Sequence, residues 1–137
     1  MLMRICARCG RKVPQGEKCP CSKQRHQAYD REHRDREKAE FYSSWAWKSV
    51  ARAARERAGY ADEYLLAKEG RLGKGGIIHH IQPIDDRPER RLDMGNLICV
   101  SYATHEYIHQ EYAAGKERKK EMQRILFEIR AARPILP

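Results

Sequence analysis

Residues 77–109, IIHHIQPIDDRPERRLDMGNLICVSYATHEYIH, hold four of the six histidines in a strand–loop–strand–helix order. Ile77-Ile78 begins a short apolar run that leads straight into His79-His80. A strand is expected there, because β-branched residues suit a pleated, half-buried surface. Residues 81–95 are polar and hold Pro83, Pro88 and Gly95, the composition of a loop. Asn96 to Val100 reads as a second strand, and residues 101–114 as a helix. His105 and His109 are four apart on that helix, so both imidazoles share a face and one ion. Adjacent strand residues point to opposite faces, so His79 and His80 are expected to do different work. One binds metal and the other faces elsewhere as a base. Asn96 is expected to hydrogen-bond one of these rings and fix its tautomer.

Upstream, Ser43 or Ser44 caps a helix running to about Arg57, with Gly59 beyond its end. Trp47, Val50, Ala51, Ala54 and Ala58 form its apolar stripe. A shorter helix is expected over 61–69, stopped by Gly70. Downstream, 116–133 reads as a helix with Met122, Ile125, Leu126 and Ile129 on one face. Residues 25–42 are densely charged, with opposite charges such as Asp30 and Arg34 or Glu32 and Arg36 four apart, a solvated helical connector.

Four of the five cysteines crowd into residues 6–21, as Cys6-x2-Cys9 and Cys19-x-Cys21. Two disulfides, a redox site and unpaired thiols compete with a structural zinc. Four thiolates from two tight turns suit tetrahedral zinc and leave no position open for substrate. A segment with so little apolar content needs such an ion to fold.

The chain has 137 residues, 41% hydrophobic and 34% charged, and a net charge of +9. One small core with appendages is the expectation. The divisions are a four-cysteine knuckle over 1–24, the connector over 25–42, a core over 43–115, and a basic amphipathic helix over 116–137. No apolar run approaches a membrane span and the first residues lack a signal-peptide core, so a cytoplasmic protein without membrane contact is expected. Residues 1–38 carry 11 Lys/Arg against 5 Asp/Glu, residues 39–115 carry 10 against 11, and residues 116–137 carry 7 against 3. Basic ends around a neutral middle suit phosphate contacts, which position a nucleic acid without reading its sequence. Arg118, Lys119, Lys120 and Arg124 are the candidate DNA-binding residues of the last helix.

The pattern G-I-I-H-H-I-x-P, a loop, D-x-x-N-L-I, then H-x-x-x-H resembles the HNH endonucleases. The lead-in FYSSWAWKSVARAARERAG (41–59) is similar to that of small phage-encoded members. The spacing of nine from Asn96 to His105, then four to His109, resembles the DNase colicins. The resemblance covers roughly residues 27–112. It implies an α+β, mainly helical fold around a ββα-metal core, here with an N-terminal zinc knuckle and flanking basic helices. It implies a metal-dependent DNA endonuclease that nicks with low sequence specificity, as a monomer or weak dimer. By the same resemblance, DNA is the substrate, and terminase or other packaging proteins are candidate partners in phage genome packaging. His79, His105 and His109 would then hold one catalytic divalent ion (Mg²⁺, Mn²⁺, Ni²⁺ or Zn²⁺), His80 would be the general base, and Asn96 would orient it. Asp85 and Asp93 are weaker candidates for supporting roles. A zinc-ribbon DNA-binding regulator or packaging adaptor without enzymatic activity is the competing reading; it explains the charge and the cysteines but not the histidines. One departure from the family stands out. Many members bracket the ββα unit with a second zinc site of four cysteines, of which only Cys99 remains, as a buried thiol. Apolar packing by Trp45, Trp47, Tyr60, Tyr64, Leu65 and Leu97 is expected to take its place.

Overall fold

The computed structural model describes residues 2–132. Residue 1 of the expected knuckle and residues 133–137 of the expected C-terminal segment lie outside the described residues. The chain divides into two compact units, one ending at Ser43 and one starting at Ser44.

In the first unit, β1 (Met3–Ile5) pairs antiparallel with β2 (Lys12–Pro14), Arg4 opposite Val13. Gly10 takes φ +76° at the turn and donates its amide to the Cys6 carbonyl. Only Gly adopts that backbone without cost. Cys6, Val13 and Cys19 are the small buried centre. Helix α1 (Cys21–Ser43) buries none of its side chains. It starts at Cys21 rather than at residue 25, so the last cysteine sits on its first turn. Pairs such as His33 with Glu37, 3.2 Å apart, support this solvated helix. Arg34 differs from expectation: its Nε reaches the Asp30 carbonyl oxygen, 3.4 Å away.

The second unit opens with α2 (Trp45–Arg57), capped by the Ser44 side chain, which accepts from the Trp47 amide. Trp47, Ala51, Ala54 and Ala58 of the expected stripe are buried. Helix α3 (Glu63–Glu69) is capped by Asp62 and ends at Gly70 in the left-handed region. Strands β3 (Ile77–His80) and β4 (Leu97–Val100) pair antiparallel, His79 opposite Ile98 and His80 opposite Leu97. Helices α4 (Tyr102–Ala113) and α5 (Lys116–Ala132) follow. Ile98 and Val100 on one face of the hairpin pack with Ile81, Ile108, Met122, Leu126 and Ile129. The last helix is therefore a wall of the core and not an appendage to it. The fold is α+β and mainly helical. Among the described residues, no helix is long and apolar enough to cross a membrane.

Of the residues expected to pack in place of the missing cysteine pairs, Trp47 and Leu97 are buried and Tyr64 packs against the core, but two are not. Trp45 is 83% exposed and Tyr60 48% exposed, so neither packs there. Buried carboxylates do the bracketing. Asp62 accepts from the Leu65 amide (3.0 Å), the Ser101 amide (2.9 Å) and the Thr104 hydroxyl (2.5 Å). Burial opposes its ionisation, but these donors outweigh it and hold the carboxyl below its usual range. Glu63 accepts from the Cys99 amide (2.8 Å) and pairs with Arg130 of α5. Cys99 is fully buried and presses against Gly75, where a Cβ would meet its sulfur at 2.9 Å and the Ala61 carbonyl oxygen at 2.7 Å.

Candidate functional site

Two clusters of ligand-type side chains exist among the described residues. The first is Cys6, Cys9, Cys19 and Cys21, whose sulfurs lie within 4.8 Å of one another. Cys6 and Cys21 are 3.7 Å apart, Cys9 and Cys19 3.5 Å. These spacings are far beyond a disulfide bond of about 2.05 Å. They are close to the roughly 3.8 Å separating two thiolates at about 2.3 Å from a tetrahedral zinc. The Cys9 and Arg8 amides point to the Cys6 sulfur and pull its pKa down to about 6. Neighbouring thiols, Cys19 first, push Cys21 up to about 12. Four thiolates this close need a cation to ionise together, so the donor set fits zinc.

The second cluster is His79, His105 and His109. His79 lies near the end of β3, on the hairpin face that packs against α4. His105 and His109 follow from the four-residue spacing on that helix, begun by the Ser101 cap. Their Nε2 atoms are 2.9 Å apart. Two nitrogens bound at about 2.1 Å in adjacent octahedral positions sit roughly 3 Å apart, so the pair fits one ion. The His79 ring centroid is 5.4 Å from each of the other two. Burial, then the neighbouring imidazoles, brings the His79 pKa down to about 3. Burial also lowers His105. Both rings are thus neutral near pH 7, with a lone pair to offer.

His80 lies on the other face of the hairpin, as the strand period requires. It stacks on Trp47 of α2, ring centroids 4.8 Å apart. Its Nε2 is 2.9 Å from the Arg91 carbonyl oxygen. A carbonyl oxygen only accepts, so Nε2 carries the hydrogen and Nδ1 the lone pair. Burial lowers the His80 pKa, partly offset by the Arg91 carbonyl.

Asn96 corrects an expectation, since it bonds to neither imidazole. Its side-chain oxygen accepts from the Gln82 amide (2.8 Å), and its Nδ2 donates to the carbonyls of Gln82 (3.0 Å) and Arg90 (3.3 Å). Fully buried, it clamps the loop between the strands at both ends. Its influence on His80 passes through the Arg90–Arg91 backbone, whose next carbonyl holds the ring.

The basic residues of α5 also differ from expectation. Arg118 pairs with Glu111, Lys119 with Asp86, and Arg124 with Glu121 and Glu128. Of the four, only Lys120 has no carboxylate partner among the described residues. In the first unit, Arg8, Arg11, Lys12 and Lys18 have none either. These four flank the cysteines in the sequence.

Three contributors escaped the sequence reading of the site: Trp47, the Arg91 carbonyl and Tyr112. Tyr112 stands three residues after His109 and seven after His105, so its helical phase was a signal. Arg91 acts through its backbone, which side-chain identity does not reveal.

No protein-family model and no curated protein matches the chain. Among solved structures, it is similar to the crystal structure of the HNH endonuclease of the deep-sea thermophilic bacteriophage GVE2 with manganese ion. The two are 29% identical with a TM-score of 0.59, over 64% of this chain and 94% of that one.

Proposed function

We propose that this chain, whose fold is HNH endonuclease-like, is a metal-dependent DNA endonuclease. The observation that carries the reading is the cluster of three imidazoles on one hairpin face, with His80 held by a carbonyl on the other. His79, His105 and His109 hold the divalent ion. Bound there, such an ion relieves charge on the scissile phosphate and on the leaving 3′ oxygen. The donors are all imidazole, which suits Mn²⁺, Ni²⁺ or Zn²⁺ as well as Mg²⁺.

His80 is the general base. Water attacks phosphorus and gives a proton to Nδ1 of His80, the bond from phosphorus to the 3′ oxygen breaks, and that oxygen leaves protonated from solvent. The Arg91 carbonyl accepts from Nε2–H throughout, which steadies the ring and favours the imidazolium that forms. Asn96 keeps that carbonyl in place by clamping the loop. The structural zinc belongs to Cys6, Cys9, Cys19 and Cys21. The uncompensated cations near them bind DNA phosphates, giving affinity with little sequence preference. One such site cuts one strand at a time, so nicking is the expected product. Work in the host cytoplasm beside a terminase, in phage genome packaging, is the setting that suits these properties.

A supercoiled-plasmid assay with Mg²⁺, Mn²⁺, Ni²⁺ or Zn²⁺ tests the reading. The expected result is metal-dependent conversion to nicked circles, abolished by EDTA and by His80→Ala. DNA that is bound but stays uncut with every ion would instead make this a zinc-ribbon DNA-binding protein.

A further inference from the structure

Tyr112 lies against His79, and its hydrogen bonds set which nitrogen of that ring bears the proton. Its hydroxyl donates to the Ile81 carbonyl at 2.6 Å. That carbonyl has no hydrogen to offer, so the single phenolic proton is committed to it. The hydroxyl oxygen is then an acceptor for anything else. His79 Nε2 is 3.3 Å from it. The contact is a hydrogen bond only when Nε2 carries the hydrogen; the other tautomer sets two lone pairs against each other.

We propose that Tyr112 is the positioning residue of the imidazole cluster: by accepting from Nε2–H of His79, it fixes the tautomer whose Nδ1 lone pair serves the ion. The inference rests on the reading of His79 as a metal ligand. Ligating histidines commonly donate their second N–H to a neighbouring acceptor, which fixes the ring and raises its basicity. Here a tyrosine does this, made an acceptor by a backbone carbonyl. Helical phase places it there, since His105, His109 and Tyr112 fall at i, i+4 and i+7 on α4. Ile81 follows directly on β3, so one carbonyl ties strand, tyrosine and metal-binding ring together. The carbonyl has a second donor, Gln123 Nε2 on α5 at 3.1 Å. Gln123 thus ties α5 to the same carbonyl and also reaches the Tyr112 hydroxyl, so its loss tests whether weakening that structural tie alone alters the ring.

The test compares Tyr112→Phe and Gln123→Ala in the full chain with ¹⁵N-labelled histidine, zinc kept on the four cysteines and no ion added to the imidazole cluster. Two-bond proton–nitrogen spectra identify the tautomer. Wild type and Gln123→Ala should show His79 as the Nε2–H form, with that proton slow to exchange. Tyr112→Phe should expose the Nε2–H proton to fast exchange and populate the Nδ1–H form. Its affinity for Ni²⁺, measured by calorimetry, should fall by roughly 10–100-fold, while Gln123→Ala keeps the wild-type value. An Nδ1–H ring in wild type, or a Tyr112→Phe protein with unchanged tautomer and proton exchange, would overturn the proposal. Equal loss of Ni²⁺ affinity in both variants would overturn it too, by showing only a structural tie. A wild-type protein that ignores Ni²⁺ and the other ions sinks the metal reading instead, and the tautomer spectra still decide whether Tyr112 sets the ring.

Discussion

Trp47 lies nearly flat on His80, with ring planes 23° apart. The indole covers one side of the imidazole while the Arg91 carbonyl holds its edge. Ring stacking of this kind contributes about 0.5–1.5 kcal/mol beyond burial, and an imidazolium on an indole face gains a cation–π term. Trp47→Leu should therefore lower kcat by up to about tenfold with metal affinity unchanged, and Trp47→Phe should recover most of the loss. His80→Ala should cost roughly 10²–10⁴-fold and not respond to added metal. His79→Ala should instead weaken metal binding. Nicking rates across a metal titration separate the two classes.

Acid should destabilise the metal-free protein through His79. In the fold its pKa lies near 3, against 6.5 for the unperturbed group. Between these values the unfolded chain binds a proton that the folded chain refuses, so stability rises with pH. The contribution is fully present above about pH 6.5 and is lost as pH falls towards 3, at up to about 1.4 kcal/mol per pH unit. Urea midpoints at pH 7.5, 6 and 4.5 check this. His79→Phe should flatten the dependence, and a midpoint that rises on acidification would contradict the buried neutral ring.

Glu63 and Arg130 form a buried pair, the carboxylate side chain 0% and the guanidinium 8% exposed. Removing one partner leaves an uncompensated buried charge. Arg130→Met should lower stability by about 3–5 kcal/mol. Adding Glu63→Gln should restore part of it, because the Gln amide still meets the Cys99 amide through its oxygen. Denaturant curves for both single variants and the double give the coupling.

Neutralising Arg8, Arg11 and Lys12 together should flatten the salt dependence of DNA binding by up to about 0.9 log-log units for each phosphate no longer neutralised. The same treatment of Arg118 and Arg124 should change it less, because their carboxylate partners already compensate them. Fluorescence anisotropy over a salt series distinguishes the two, and an equal effect from both sets would refute the assignment.

One zinc per chain should copurify with the protein and be lost with Cys6→Ser. Elemental analysis measures it. The β1–β2 amides of that variant should exchange freely, since Val13 has little else to pack against.

The ββα order, the capping serine and the divergence of His79 from His80 were legible because strand and helix periods are local. The cluster of four cysteines was legible from spacing alone. The support around the site was not. Glu63 meets Arg130 across 67 positions, and nothing near either residue announces the other. The target of Asn96 was misread because amide side chains bond backbone as readily as imidazole, and the loop's path decides which is in reach. The apolar bracket expected of Trp45 and Tyr60 overlooked Asp62, whose capping position before α3 points its other oxygen at the start of α4.

Because α5 supplies Met122, Leu126, Ile129 and Arg130 to the wall behind the hairpin, the core cannot close until synthesis has passed that helix. A nascent chain ending before residue 122 already contains every histidine of the site, yet lacks the surface that covers Ile98 and Val100 and the cation that neutralises Glu63. The order of residues along the chain thus delays the assembly of the imidazole cluster until well after His109, its last member, has been made. Premature termination within α5 should therefore yield a fragment without a finished scaffold.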